Sequence, residues 1–155
     1  MRRISWIGVG IMGKAMVRNL MKAGYEVHIY ARHPEKVADV ISEGAVPHGS
    51  IAECVKASEM VITMVGFPKD VEEVYFAPGN ILDSAAKGMT LIDMTTTSPT
   101  LAQRIYQEGA AWGLRVLDAP VTGGDSGARA GTLSILVGGD QADFDACLPI
   151  FQAMG

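Results

Sequence analysis

The 155-residue sequence predicts a single α/β domain, in which a doubly wound and mainly parallel sheet carries helices on both faces. Short apolar segments rich in β-branched residues alternate with amphipathic segments of ten or so residues along the chain. The apolar segments are continuous rather than interrupted by polar residues, which is typical of strands buried on both faces. Strands separated by helices of this length imply right-handed βαβ units.

The first half of the chain begins with a β-branched run at residues 4–9, which predicts a strand. Residues 12–23 then carry apolar side chains at helical spacing, and Gly24 follows as a typical C-terminal glycine. The remaining elements of this half are a strand at 27–30, a helix at 34–43 opened by Pro34, a weak strand at 44–46 and a short helix at 51–57 capped by Ser50.

The second half contains the clearest strand of the sequence, at residues 60–65. Pro68 predicts the start of a helix through residue 76, and the turn residues 78–80 follow it. The later elements are strands at 90–93, 114–118 and 133–137, a helix at 98–108, a glycine-rich loop before the last strand, and a final helix beginning at Asp140 or Asp143.

Charge and composition exclude several classes of function. The net charge is −4 and no sustained basic stripe is present, so we do not expect nucleic acid as a partner. No apolar run approaches the roughly 20 residues that span a bilayer, so no membrane association is expected. Cys54 and Cys147 do not form a Cys-x-x-Cys pair, and two cysteines in a chain of this size favour a reducing, cytoplasmic location.

A G-x-G-x-x-G motif follows the first predicted strand and opens the first predicted helix. Gly8 would allow the tight turn, Gly10 would let the backbone approach a pyrophosphate, and Gly13 would let the helix pack closely on the strand. The free N–H groups at the helix N-terminus suit phosphate oxygens. The motif in this context predicts a dinucleotide site of the Rossmann type, formed by Gly8, Val9, Gly10, Ile11, Met12 and Gly13.

The end of the second predicted strand indicates which dinucleotide binds. An NAD site usually carries Asp or Glu there to accept hydrogen bonds from the ribose 2′-hydroxyl. This chain has Ala31 and Arg32 instead, and an arginine can form a bidentate pair with a 2′-phosphate. The sequence therefore favours NADP as the cofactor, with NAD as the alternative.

Later segments, taken with the glycine motif, resemble the β-hydroxyacid dehydrogenase family, which includes 3-hydroxyisobutyrate dehydrogenase, tartronate semialdehyde reductase, the glyoxylate/succinic semialdehyde reductases and 6-phosphogluconate dehydrogenase. The matching motifs occur in the order and spacing of that family and extend over nearly the whole chain. They are the segments 8–13, 91–99, 118–124, 127–128, 131–133 and 137–139.

The resemblance implies an oxidoreductase that transfers a hydride between a nicotinamide cofactor and a small, carboxylate-bearing β-hydroxyacid or its semialdehyde. It adds Met64, Val65 and Thr96 to the cofactor site. It also implies that the substrate carboxylate binds Thr122, Gly123 and Gly124, which fits the donor-rich backbone of consecutive glycines.

Three positions depart from the family pattern. Ala31 stands where Asn or Asp is usual, so one side-chain bond to the ribose is lost. Thr122 stands where serine is usual, which keeps the hydroxyl and adds a methyl group. Residues 65–68 replace the commoner Leu-Pro after the fourth strand.

The family's catalytic lysine lies just beyond the positions that this sequence covers, whereas the last lysine here is Lys87. We therefore expect residues 1–155 to be the NAD(P)-binding domain without the family's C-terminal all-helical domain, and to contain no catalytic residue. The chain by itself should then be inactive. We also expect apolar surface on the last helix, around Ile150, Phe151 and Met154, to be exposed and to favour self-association.

The sequence excludes one other class of oxidoreductase and leaves one alternative function open. Short-chain dehydrogenases need a Tyr-x-x-x-Lys motif, and none of the four tyrosines is followed by lysine at that spacing. A non-catalytic NADP(H)-binding module, acting as a nucleotide sensor or as a partner protein, remains an alternative because cofactor binding is common to both functions.

Overall fold

Six parallel strands form the main sheet of the computed structural model, which describes residues 3–95 and 98–155. The strands are β1 (Arg3–Ile7), β2 (Glu26–Tyr30), β3 (Val46–Pro47), β4 (Met60–Thr63), β5 (Thr90–Asp93) and β6 (Arg115–Asp118). Their order across the sheet is β3-β2-β1-β4-β5-β6, so the chain winds outward from the centre in both directions. A sheet of this order opens a crevice at the carboxyl ends of β1 and β4.

Helices connect the strands and cover the sheet. They are α1 (Ile11–Lys22), a 3₁₀ turn (Pro34–Val37) leading into α2 (Ala38–Ser42), α3 (Ile51–Lys56), α4 (Pro68–Phe76), α5 (Ile81–Ser84), α6 (Pro99–Ala111), α7 (Gly124–Ala130) and α8 (Gln141–Met154). Two further strands, β7 (Val121–Thr122) and β8 (Ser134–Ile135), pair with each other antiparallel outside the main sheet.

The core consists of two apolar clusters, one on each face of the sheet. Ile4 and Trp6 of β1 belong to the cluster that includes residues of α1 and α8. Ile7 belongs to the opposite cluster, which includes residues of α3, α4 and α6. This assignment follows the period of two that a strand imposes on its side chains. The predicted doubly wound α/β fold is confirmed.

Several predicted elements up to the fourth strand have bounds that differ from those expected. The first strand stops at Ile7 because Gly8 adopts a φ of +94°, which takes the chain out of the sheet. The predicted helix at 34–43 is divided at Val37, where φ is −119° and ψ is 15°. The third strand is Val46–Pro47 rather than 44–46, and the fourth ends two residues early at Thr63.

The glycine-rich segment in the second half is more structured than the sequence predicts. The expected strand at 133–137 is reduced to Ser134–Ile135, and its partner is β7 rather than a strand of the main sheet. Between β7 and β8 the chain forms α7, and between α4 and β5 it forms α5. Neither helix was predicted, because α5 has only four residues and α7 consists of glycine, alanine and polar residues without an apolar period.

The prediction that the last helix exposes an apolar surface is wrong. Ile150 and Phe151 are 2% and 5% exposed and Met154 is fully buried, because α8 packs its apolar side against α1 and β6. Self-association through these three side chains therefore has no basis in the fold.

Candidate functional site

A cleft of about 550 Å³ opens at the carboxyl ends of β1, β2 and β4. Every predicted cofactor residue among those described contributes to its wall. The lining residues are 7–13 of the β1–α1 connection, 30–33 and Lys36 after β2, 64–66 after β4, Asp70 and Val74 of α4, and Asp125 of α7.

The glycine loop packs directly against Met64 and Val65, which follow β4; these residues are called the β4 exit below. A methyl group placed on Gly8 would lie 2.3 Å from the carbonyl oxygen of Met64 and 2.6 Å from Cγ1 of Val65. On Gly13 it would lie 3.1 Å from the carbonyl oxygen of Gly8 and 3.2 Å from Nε1 of Trp6. The fold itself therefore requires glycine at position 8, and at position 13 it leaves a methyl group less room than an ordinary contact.

Gly10 differs because nothing lies within 4 Å of the methyl group it lacks, so this position is open toward the cleft. It is also the N-cap of α1 and contributes no side-chain cap. The first helical hydrogen bond runs from the Lys14 N–H to the Gly10 carbonyl oxygen at 2.9 Å. The N–H groups of Ile11, Met12 and Gly13, which precede Lys14, are consequently available to a ligand, as at other helix N-termini that bind anions.

The far end of the cleft is basic. Arg32 lines it with a side chain that is 66% exposed, and its Nη2 lies 3.8 Å from Oε2 of Glu73 across the opening. His33 and Lys36 line the same end, and sequence reasoning missed both. Arg32 lies in the bend before the 3₁₀ turn that contains Lys36, so no helical spacing in the sequence relates the two residues.

The exit of β4 forms the opposite wall. Met64 and Val65 line the cleft as predicted, together with Gly66. Asp70 accepts a hydrogen bond from the Phe67 N–H at 3.1 Å and so fixes the start of α4. Thr96 lies outside the described residues.

The predicted substrate loop stands apart from this cleft. Thr122, Gly123 and Gly124 are exposed and do not line it, although Asp125 in the next position does. The loop forms the start of α7, which packs along α1. Asn19 of α1 donates a hydrogen bond from Nδ2 to the Ala128 carbonyl oxygen at 2.7 Å.

Two carboxylates lie in register at the ends of β5 and β6, beneath these loops. Asp93 is 3% exposed, and burial raises the pKa of its carboxyl to about 6. Burial also raises the pKa of Asp118, which is less enclosed. Oδ2 of Asp93 and Oδ1 of Asp118 are buried without a hydrogen-bond partner among the described residues.

Other kinds of site find no support in the described part of the chain. Residues 3–95 and 98–155 hold no group of three or more His, Cys, Asp or Glu side chains arranged to bind a metal ion. Within the same ranges, every helix is too short or too polar to cross a membrane.

The chain is similar to known proteins over nearly its whole length. Residues 3–155 match the family described as the NAD binding domain of 6-phosphogluconate dehydrogenase. An uncharacterized oxidoreductase, YkwC of Bacillus subtilis, is 45% identical over 154 residues, which are 99% of this chain and 54% of that protein. The chain thus spans about half the length of the curated relatives it matches.

Two solved structures share the fold closely. One is the Mycobacterium tuberculosis 3-hydroxyisobutyrate dehydrogenase with L-serine, at 32% identity and a TM-score of 0.94, covering 100% of this chain and 52% of that one. The other is Psf3 in complex with NADP+ and 2-OPP, at 30% identity and a TM-score of 0.94, covering 97% and 54%. The chain belongs to the β-hydroxyacid dehydrogenase family, as its NAD(P)-binding domain.

Proposed function

We propose that the chain binds NADP(H) in preference to NAD(H), and that the protein it represents transfers a hydride between this cofactor and a small β-hydroxyacid or its semialdehyde. The cleft carries the proposal, because it joins the glycine loop, the basic end at Arg32 and the β4 exit in one continuous surface.

The residues present fit a dinucleotide. The open face at Gly10 leaves room for a pyrophosphate to approach the backbone. The free N–H groups at the start of α1 would donate hydrogen bonds to its oxygens, and the helix dipole would favour their negative charge. Gly8, Val9, Gly10, Ile11, Met12 and Gly13 form this part of the proposed site.

The basic end of the cleft supports the preference for NADP(H). Arg32 offers planar donors that match a phosphate, and His33 and Lys36 line the same end. Ala31 provides no carboxylate for a ribose 2′-hydroxyl. The related Psf3 structure is described with NADP+ bound, which agrees with this assignment.

We assign the hydride transfer to the end of the site opposite Arg32. When bound, the nicotinamide supplies or accepts the hydride. We assign Met64, Val65 and Thr96 to its surroundings, and Thr122, Gly123 and Gly124 to the substrate carboxylate. The Thr122 hydroxyl and the N–H groups of Thr122, Gly123 and Gly124 would bind and orient an anion. The related 3-hydroxyisobutyrate dehydrogenase is described with L-serine, a small hydroxyl-bearing carboxylic acid.

We further propose that the 155-residue chain binds nucleotide without turning over substrate. The resemblance assigns proton transfer to a lysine beyond the matched positions, and general acid–base catalysis typically contributes about 10²–10⁴-fold. A purely nucleotide-sensing module is less favoured, because the relatives described above are oxidoreductases. A cytoplasmic location stays a prediction, with which the two buried free cysteines are consistent.

Titration calorimetry of the 155-residue chain with NADPH and NADH tests the cofactor assignment. We expect NADPH to bind roughly tenfold to a hundredfold more tightly, as one charge-assisted contact of about 1.5–3 kcal/mol implies. Arg32→Ala should remove most of that difference and leave NADH binding unchanged. Arg104→Ala is the matched control, because Arg104 pairs with Glu72 away from the cleft.

Equal affinity for the two nucleotides, or an unchanged preference in Arg32→Ala, would refute the role of Arg32. Steady-state assays of the same chain with NADPH and glyoxylate, succinic semialdehyde or tartronate semialdehyde should show no turnover. Turnover close to that of an intact relative would place the proton-transferring group within these 155 residues.

A further inference from the structure

A chain of buried hydrogen bonds lies beneath the cleft at the ends of β4 and β5. Asp93 accepts through Oδ1 from the Thr63 hydroxyl at 2.9 Å and from the Thr95 N–H at 3.1 Å. The Thr63 hydroxyl has one hydrogen and gives it to Asp93, so the Tyr75 hydroxyl, 2.8 Å away, must donate to Thr63. This direction of donation holds the Asp93 carboxylate in a single orientation.

The series of hydrogen bonds continues from Asp93 through Thr95 to the wall of the cleft. The backbone ladder extends past the strands as far as the bonds from the Met64 N–H to the Ile7 carbonyl and from the Met94 N–H to the Thr63 carbonyl. At the next residue a side chain replaces the backbone, because the Val65 N–H donates to Oγ1 of Thr95 at 2.9 Å. A single hydroxyl therefore holds the backbone where it leaves the sheet.

Val65 is the residue against which the glycine loop packs. It lines the cleft, and its Cγ1 lies 2.6 Å from the position of a methyl group on Gly8. A shift of Val65 would therefore change the space available to the glycine loop. Thr95 is 4% exposed and does not line the cleft itself, and among the described residues its hydroxyl is linked to the cleft wall through Val65.

We propose that Thr95, oriented by Asp93, is a positioning residue for the nucleotide, and that its hydroxyl sets the place of the Val65 backbone against the glycine loop. The inference rests on the nucleotide cleft proposed above. It differs from the role of Arg32, because the Val65 wall does not face the 2′-phosphate end. Removing the Thr95 acceptor should weaken NADPH and NADH equally, whereas removing Arg32 should weaken NADPH alone.

The test compares Thr95→Val, which keeps the shape of threonine without the acceptor, with Thr95→Ser, which keeps the acceptor without the methyl group. We expect Thr95→Val to weaken both nucleotides about tenfold and Thr95→Ser to stay within about threefold of the wild type, measured by calorimetry. Asp93→Asn retains the Oδ1 acceptor and should resemble Thr95→Ser. Thr90→Val makes the same change at the buried, opposite end of β5 and controls for loss of stability.

Each result separates this inference from the proposed function. Loss in Thr95→Val, retention in Thr95→Ser and an unchanged ratio of NADPH to NADH affinity support the positioning role. Wild-type affinity in Thr95→Val, or equal losses in Thr95→Ser or Thr90→Val, overturns it while the cleft stands. A wild-type chain that binds neither nucleotide overturns the cleft and the inference together.

Discussion

The two glycine-rich loops of this chain use glycine for different physical reasons. In the first loop, at residues 8–13, a methyl group on Gly8 would meet backbone and side-chain atoms of the β4 exit at 2.3–2.6 Å. In the second, at residues 122–124, a methyl group on Gly123 would lie 3.1 Å from Cδ2 of Leu133, and one on Gly124 would meet nothing within 4 Å. The first loop is packed tightly against the β4 exit at Gly8, whereas the second lies on the surface with all three of its residues exposed.

This difference separates the parts of the proposed site. The first loop is continuous with the sheet, so its shape is set by the same packing that stabilises the domain. The second belongs to the β7–α7–β8 segment, which contacts the rest of the molecule mainly through α1. A substitution at the packed part of the first loop, Gly8, should therefore reduce both stability and nucleotide binding, and a substitution in the second loop should leave nucleotide binding intact.

The largest effect is expected for Gly8→Ala. The added methyl group would overlap the Met64 carbonyl oxygen, and the φ of +94° is unfavourable for alanine. We expect a loss of roughly 4 kcal/mol or more in the free energy of unfolding, measured by urea denaturation, or failure to fold. A stable Gly8→Ala protein with normal NADPH affinity would show that the close packing at this loop is not essential.

Gly10→Ala is the matched control within the same loop. Its methyl group would meet no protein atom within 4 Å, so stability should change by less than about 1 kcal/mol. The same methyl group would occupy the approach of the pyrophosphate, and we expect NADPH affinity to fall at least about tenfold, or about 1.4 kcal/mol. Unchanged affinity would remove this face of Gly10 from the nucleotide site.

The next prediction concerns how the stability of the chain depends on pH, through the buried carboxyl of Asp93. The folded-state pKa of Asp93 is about 6, above the roughly 3.9 of an unfolded aspartate. The folded chain therefore binds more protons than the unfolded chain between these values, and its stability should fall as pH rises from about 4 to about 6, by about 3 kcal/mol in all. Asp93→Asn should flatten this part of the curve of unfolding free energy against pH.

Asp118→Asn provides the comparison at the end of β6, before the second loop. The pKa of Asp118 is also raised by burial, but its carboxyl is less enclosed than that of Asp93. We therefore expect Asp118→Asn to flatten the same curve less than Asp93→Asn does. Parallel curves for the wild type and Asp93→Asn would contradict the raised pKa of Asp93.

The same contrast explains which features could be predicted from the sequence. The first loop follows a continuous apolar strand and precedes an amphipathic helix, so Gly8, Gly10 and Gly13 are recognisable from local context. Met64 and Val65 were assigned by resemblance, and the structure places them in the cleft with the loop. The contributions of His33 and Lys36 depend on how the chain turns after β2, which no periodicity expresses.

Long-range packing accounts for the remaining misses. The burial of Ile150, Phe151 and Met154 follows from the docking of α8 on α1, which an apolar helix face alone does not specify. The pairing of β7 with β8 outside the main sheet is likewise a tertiary choice, because two-residue strands carry almost no local signal. The link from Asp93 through Thr95 to Val65 joins the segments at the ends of β5 and β4 and is visible only in three dimensions.

The smallest effect on NADPH affinity is expected at the second loop, in Gly123→Ala. Gly123 has a φ of +132°, which alanine rarely adopts, while Leu133 beside it is a flexible side chain that can shift. We expect a loss of about 1–3 kcal/mol in unfolding free energy and NADPH affinity within about threefold of the wild type. Ser126→Ala, at an exposed position of α7, is the control and should change stability by no more than about 0.5 kcal/mol. Since α7 also brings Asp125 to the cleft, a tenfold loss of NADPH affinity in Gly123→Ala would show that the second loop belongs to the nucleotide site and would end the separation between the two loops.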